Sequence, residues 1–170
     1  EVAMKNEQLK NYKIFEDLDD SQLDIFHPII SKQKVEANSK FIVEGDEGDS
    51  IYLLLDGDVE INQALTLSVN KGDSDNREKS IMKLSNEDHP LFGEMSIFSD
   101  GDVRTANVKA LSNCTLAKIS KNDLMRVCDE HPNVGFLVMR NLGRIITDNL
   151  IKANQNVLKL TTAFSLILDR

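Results

Sequence analysis

The sequence predicts a mainly β protein, a sandwich or closed barrel, with short helices ahead of it and a long helix behind it. Three observations carry this. Between Ile29 and Ile119 short apolar runs recur, divided by turn residues such as Glu44-Gly45-Asp46-Glu47-Gly48 and Asp56-Gly57. Before them, Asp19, Asp20 and Ser21 offer helix N-caps ahead of Leu23, Ile25 and Phe26. After them, Phe136, Leu137, Met139, Leu142, Ile145, Ile146 and Leu150 keep helical spacing, continued less strictly to Leu168.

Element by element, Val2 to Tyr12 is a modest helix, Phe15 to Leu18 a linker, and the helix capped at 19–21 stops at Pro28. Strands are expected at Ile29–Val35, Lys40–Val43 and Ser50–Leu55. Asp56-Gly57 reads as a hairpin dipeptide that returns Asp58–Ile61 antiparallel to the preceding strand. Lys71 to Ser80 has no apolar anchor and reads as a solvent loop. Further strands fall at Ile81–Leu84, Val103–Ala110 and Cys114–Ile119, about eight in all. Ser120 then caps a helix over Lys121–Cys128, with Asp123 in its first turn. The segment from Asn133 is either one long helix or two helices bent near Asn154–Asn156; Gly143 does not interrupt the pattern. This divides the chain into N-terminal helices (1–28), a β-barrel (29–120) and C-terminal helices (121–170) that serve as lid or dimer contact.

Composition narrows the function. The chain has 170 residues and a net charge of −8, with 41% apolar and 28% charged residues. That is enough for one globular domain and an appendage. An acidic chain lacks the clustered Lys and Arg that a nucleic-acid backbone needs, so DNA binding is not expected within these residues. No apolar run reaches the length of a membrane span, and no secretory signal is visible. The two cysteines, Cys114 and Cys128, read as buried thiols of a reducing, cytoplasmic compartment, with a disulfide as the lesser alternative. The three histidines, His27, His89 and His131, are scattered, so neither a metal centre nor a cupin-like catalytic site is expected. No Ser-His-Asp or Cys-His set is apparent, and no enzyme is expected.

The chemistry is concentrated in Leu91 to Ala110, LFGEMSIFSDGDVRTANVKA. Gly93 allows an unusual backbone or the close approach of a ligand. Glu94, Met95 and Ser96 begin a short turn or helix whose free N–H groups form an anion cradle. Asp100-Gly101-Asp102 turns the chain back, and Arg104 and Thr105 open the next strand. Arginine suits a bidentate grip on phosphate, and Glu94 suits a sugar hydroxyl. On spacing alone, an ion pair between Glu94 and Arg104 over a surface turn is the plainer reading.

The run FGEMSIF…RTA resembles the phosphate-binding cassette of cyclic-nucleotide-binding domains, the family of catabolite-activator-type regulators, kinase regulatory subunits and nucleotide-gated channels. Phe41-x-x-Glu44-Gly45-x-x-Gly48-x-x-x-Tyr52…Gly57 is similar to the family's barrel signature, and Ile119-Ser120 ahead of a helix also agrees. The similarity runs from about Phe15 to Asn149. It implies a double-stranded β-helix, or jelly-roll, barrel followed by a long C-terminal helix. It also implies a ligand site at Phe92, Gly93, Glu94, Met95, Ser96, Arg104, Thr105, Ala106 and Asn149. In that scheme Glu94 holds the ribose 2′-hydroxyl. Arg104, Thr105 and the amides around Gly93, Met95 and Ser96 hold the cyclic phosphate. Asn149 either reaches the purine or forms a polar break in a dimer seam. The family's Gly-Asp before Phe-Gly-Glu is replaced here by Ser85-Asn86-Glu87-Asp88-His89-Pro90-Leu91, about two residues longer.

The expected function is therefore a regulatory sensor that binds a cyclic nucleotide and signals through the C-terminal helix. The ligand is expected to be cAMP, with cGMP second, and no cofactor is implied. A homodimer through the 133–168 helix is the expected partner arrangement. The rival readings are a degenerate barrel kept as a dimerisation or protein-interaction scaffold, and a barrel that binds a cyclic dinucleotide.

Overall fold

The computed structural model describes residues 4–64, 78–99, 101 and 103–168. Most of the polar stretch expected as a loop at Lys71–Ser80 lies outside these residues, as do Asp100 and Asp102. The last residues of that stretch, from Glu78, open a strand instead.

In chain order the elements are α1 (Asn6–Leu9), α2 (Asp20–Asp24), β1 (Ile30–Val35), β2 (Lys40–Ile42), β3 (Ser50–Asp56), β4 (Asp58–Ala64), β5 (Glu78–Ser85), β6 (Leu91–Phe92), α3 (Glu94–Phe98), β7 (Asn107–Ala110), β8 (Cys114–Ser120), α4 (Lys121–Glu130) and α5 (Pro132–Leu168). Short 3₁₀ turns sit at Lys13–Phe15, His27–Ile29 and Asn86–Asp88. Among the described residues the strands form two antiparallel four-stranded sheets, ordered β1-β8-β3-β6 and β2-β7-β4-β5. They face each other as a jelly-roll sandwich, with no single ring of pairing that would close a barrel.

The caps read from the sequence are in place. The Asp19 carboxylate accepts from the Gln22 N–H at 2.9 Å, and the Gln22 side chain accepts in return from the Asp19 N–H. Ser120 Oγ accepts from the Asp123 N–H at 3.1 Å at the start of α4. Pro132 occupies the first turn of α5, where its missing N–H costs nothing. The C-terminal segment is one helix of 37 residues, unbroken at Gly143 and at Asn154–Asn156.

Two corrections concern the strands. Asp56-Gly57 does not make a hairpin: β3 pairs with β6 and β8, whereas β4 pairs with β5 and β7. The dipeptide is a corner that carries the chain from one sheet to the other. Gly57 has φ +97°, and a Cβ there would lie 2.7 Å from the Asn113 carbonyl and from Cys114 Sγ. Arg104 and Thr105 do not open a strand either. They lie in an irregular segment before β7, and only Val103 makes an isolated bridge, to Glu47.

The middle of the first sheet, at β3 and β8, is apolar on both faces, which explains the unbroken run Ile51-Tyr52-Leu53-Leu54 in β3, whereas β1 at the edge exposes Ser31 to Lys34. Ile51, Leu53, Ala117 and Ile119 pack outward with Phe15, Phe26, Leu124, Val138 and Leu142 from the helices. Tyr52, Leu54, Cys114 and Leu116 pack inward against Val59, Val108 and Ala110 of the second sheet. The N-terminal helices and α5 are thus joined through one core, and the buried Asn141 reinforces the joint. Its Nδ2 donates to the carbonyls of Ile14 at 3.2 Å and Glu16 at 2.7 Å. Both cysteines are buried and free, and burial pushes the Cys128 thiol up to about 11.

Candidate functional site

The site is built around the segment that joins β6, α3 and β7. Gly93 caps α3 with φ +85°, a left-handed conformation that favours glycine. Space enforces the same choice: a Cβ on Gly93 would lie 2.2 Å from Arg104 Nη1 and 2.7 Å from the Ser50 carbonyl. Gly48 forms a second wall, where a Cβ would meet Ser96 Oγ at 2.5 Å and Arg104 Nε at 2.9 Å. The glycines at 48 and 93 leave a slot, and the Arg104 side chain fills it.

Arg104 is only 6% exposed. Its Nη1 donates to Ser96 Oγ at 3.0 Å and to the Gly93 carbonyl at 3.4 Å, and its Nη2 donates to the Ser50 carbonyl at 2.8 Å. The guanidinium carbon sits 5.7 Å from the centre of the Tyr52 ring. Its main chain is strapped to the β2–β3 turn: the Arg104 N–H donates to the Asp46 carbonyl and the Gly45 N–H to the Arg104 carbonyl. Every hydrogen-bond partner of the guanidinium is a neutral oxygen, and among the described residues no carboxylate forms an ion pair with it. The surface ion pair with Glu94 is therefore absent.

Glu94, the first residue of α3, is 7% exposed. Burial raises the pKa of its carboxyl above the usual value, with the Asn149 hydrogen bond and the Arg104 charge pulling the other way. Asn149 Nδ2, from α5, donates to Glu94 Oε1 at 3.2 Å.

The remaining expected residues gather around this pair. Phe92 is buried in the inner core, edge-on to Phe41. Ser96 is buried and donates to the Gly93 carbonyl at 2.8 Å. Met95 is half-exposed, and its Sδ accepts from Thr105 Oγ1 at 3.6 Å. Ala106 is partly buried in the bend before β7. The structure thus brings together Phe92 to Ser96, Arg104 to Ala106 and Asn149. It adds Gly48, Ser50 and Tyr52, which hold the guanidinium and were not singled out as site residues. Their signal was faint: Gly48 read as one of two turn glycines, and Ser50 acts through its carbonyl, which residue type does not encode.

The arrangement sets a buried cation, suited to an anion, near a buried carboxyl, suited to a hydroxyl. Among the described residues no three His, Cys, Asp or Glu side chains group as a metal set. A separate open cleft of about 470 Å³ lies among the N-terminal helices, lined by Asn6, Lys10, Asp24 and His27, and contains none of these side chains.

Known proteins resemble this chain in sequence and in fold. Over 111 residues the chain is 29% identical to the cAMP-activated global transcriptional regulator CRP of Pasteurella multocida, covering 65% of this chain and 48% of that protein. It is 24% identical over 160 residues to Glutaminase 1 of Bradyrhizobium diazoefficiens, covering 91% of this chain and 23% of that protein. The chain thus spans about half the length of one curated relative and about a quarter of the other. Among solved structures, a cyclic nucleotide-binding domain from Methylobacillus flagellatus superimposes with a TM-score of 0.74 at 22% identity, covering 89% of this chain and 79% of that one. Residues 32–131, more than half of the chain, match the sequence model of the cyclic nucleotide-binding domain. That span contains β2 to α4 with the whole Gly93–Arg104 slot, and by this match the chain belongs to the cyclic nucleotide-binding domain family, a family of regulatory modules.

Proposed function

We propose that this chain is a cAMP sensor whose response is carried by α5. The observation behind the proposal is the buried Arg104 guanidinium with only neutral partners. Burying a cation is costly unless an opposite charge offsets it. A cyclic phosphate supplies that charge in a form the guanidinium grips well. Glu94 then takes the ribose 2′-hydroxyl, with Thr105 and the neighbouring amides completing the phosphate cradle.

The Asn149 contact supports a route from ligand to helix. When the ribose hydroxyl occupies Glu94, the Asn149 amide is released from it. An amide both donates and accepts, so it suits an adenine edge. The similarity to a regulator named as cAMP-activated favours the same base. In this reading the ligand shifts α5 between two positions by its differential affinity for them. The chain acts as a binding module in a reducing, cytoplasmic setting, without catalysing a reaction, and pairs with a second copy along α5.

Isothermal titration with cAMP and then cGMP tests the proposal. The expected result is micromolar or tighter binding of cAMP, weaker binding of cGMP, and loss of both in Arg104→Ala. Tighter cGMP binding overturns the choice of base. No heat with either nucleotide overturns the sensor reading in favour of a scaffold or of a cyclic dinucleotide site.

A further inference from the structure

We infer that Asn107 is a positioning residue for the ligand slot: its side chain fixes the β2–β3 turn that straps Arg104. The inference rests on the cyclic-nucleotide reading above and names a residue on which that grip depends.

Arg104 has no strand ladder to hold it. β7 begins only at Asn107, and the segment before it is irregular. The turn between β2 and β3 places its main chain instead. The Arg104 N–H donates to the Asp46 carbonyl at 2.8 Å, and the Arg104 carbonyl accepts from the Gly45 N–H at 2.9 Å. Glu47 makes an isolated bridge to Val103 beside them. The guanidinium is therefore placed only as well as this turn is.

The turn itself lies past the end of a ladder. β2 pairs with β7 as far as Ile42 opposite Val108, after an irregularity between Lys40 and Ile42. Gly45, with φ +88°, is open to the outside, since a Cβ there would meet nothing within 4 Å. Asp46 and Glu47 are exposed. What reaches the turn from the second sheet is Asn107, whose Oδ1 accepts from the Glu44 N–H at 2.9 Å. This closes a circuit. Asn107 follows Arg104 by three residues in the chain, and its amide oxygen leads back through Glu44 and Gly45 to the Arg104 carbonyl.

Burial points to the same role. Asn107 is 5% exposed, and Asn62, opposite it on β4, is 3% exposed. Asparagine is a poor strand former, and a buried amide costs free energy unless its polar atoms are bonded. The two differ in this respect. Asn107 Oδ1 has the Glu44 N–H, whereas Asn62 Oδ1 has no hydrogen-bond partner among the described residues. By register the pair shares the face of Glu60 and Lys109, not the inner face of Val59, Ile61 and Val108. Asn107 thus acts on Arg104 through the turn and not by contact.

Three variants of the full chain test this. Asn107→Leu keeps the branched shape and removes the acceptor. Asn107→Asp keeps an acceptor. Asn62→Leu makes the same exchange at the neighbouring amide. Titration should show cAMP binding weakened about tenfold or more in Asn107→Leu, the order found when the outer partner of a ligating group is lost, and within about threefold of the parent in the other two. Parent-like affinity in Asn107→Leu, or an equal loss in Asn107→Asp or Asn62→Leu, overturns the inference. Hydrogen exchange of the ligand-free parent needs neither nucleotide nor variant. The Glu44 amide should be protected and should open together with the amides of Gly45 and Arg104. A Glu44 amide that exchanges freely while those two stay protected overturns the inference. If the parent binds neither cAMP nor cGMP, the sensor reading fails, and exchange alone decides whether Asn107 holds the turn against Arg104.

Discussion

Replacing Arg104 by methionine separates a ligand-binding role from a bracing role. Methionine keeps most of the stem volume and removes the cation. The Gly93 carbonyl keeps the hydrogen bond from Ser96 Oγ, so the acceptor that loses its guanidinium donor outright is the Ser50 carbonyl, now at 2.8 Å. One buried acceptor left unpaired costs about 1–3 kcal/mol. Against this, a desolvated charge without a carboxylate partner is removed, and that relief is several kcal/mol. The two effects oppose each other, so the free protein should stay within about 2 kcal/mol of the parent, a melting shift of under roughly 8 °C for a domain of this size. Ligand affinity has no such compensation. Losing the charged partner of a phosphate should cost about 2–5 kcal/mol, roughly 30-fold to several-thousand-fold. Titration calorimetry and thermal unfolding, each with and without cAMP, read both quantities. A variant that melts normally and binds cAMP within threefold of the parent would refute the reasoning, because the guanidinium would then not see the ligand. A collapse of the free protein with unchanged affinity in the surviving fraction would recast Arg104 as a brace between Gly93 and Ser50.

Other perturbations follow from the same contacts. Gly93→Ala places a Cβ at 2.2 Å from Arg104 Nη1 on a backbone with φ +85°, so thermal melting should show a loss of about 1–3 kcal/mol, together with weaker nucleotide binding. Glu94 has its pKa raised, first of all by burial. The folded state therefore holds a proton that the unfolded chain has released, and the Glu94 contribution to stability falls as pH rises from the ordinary carboxylate range through the raised value. Glu94→Gln should remove that part of the pH dependence and gain on the parent as pH increases, as melting curves at a series of pH values will report. Asn141→Ala leaves the Ile14 and Glu16 carbonyls without their donor. It should lower stability by about 1–3 kcal/mol and speed hydrogen exchange in the N-terminal helices. The Cys128 thiol, pushed up to about 11, and the buried Cys114 should resist a thiol reagent at pH 8 until the protein is unfolded, when both should react.

Much of this was legible because local chemistry decided it. Asp19 and Ser120 announce helix starts through oxygens that only an N-terminus needs. The apolar run in β3 announces a strand buried on both faces. The Gly93-Glu94 and Arg104-Thr105-Ala106 pieces stand out through their resemblance to a phosphate-binding cassette; spacing alone reads them as a surface ion pair. What was not legible depends on distant partners. Asp56-Gly57 encodes a reversal of direction and says nothing about which sheet receives the next strand. The backbone strap from Asp46 and Gly45 keeps Arg104 out of β7, and carbonyl acceptors leave no mark in residue type. Asn149 lies 55 residues beyond Glu94; the resemblance named it as a site residue, but no spacing rule connects its amide to that carboxylate. β6 is two residues long, too short for any alternation to appear.

Asn141 gives α5 a fulcrum. It is anchored to the chain's own backbone at Ile14 and Glu16, while Asn149 touches the ligand slot and Leu168 ends the helix far outside. At 1.5 Å per residue Asn149 lies about 12 Å from this pivot and Leu168 about 40 Å. A rigid tilt that moves Asn149 by about 1 Å therefore sweeps Leu168 through more than roughly 3 Å. In the proposed response the helix would work as a lever with a mechanical advantage set by its length alone, so that a displacement smaller than a hydrogen bond at Asn149 would become one as large as a methyl group at the far tip.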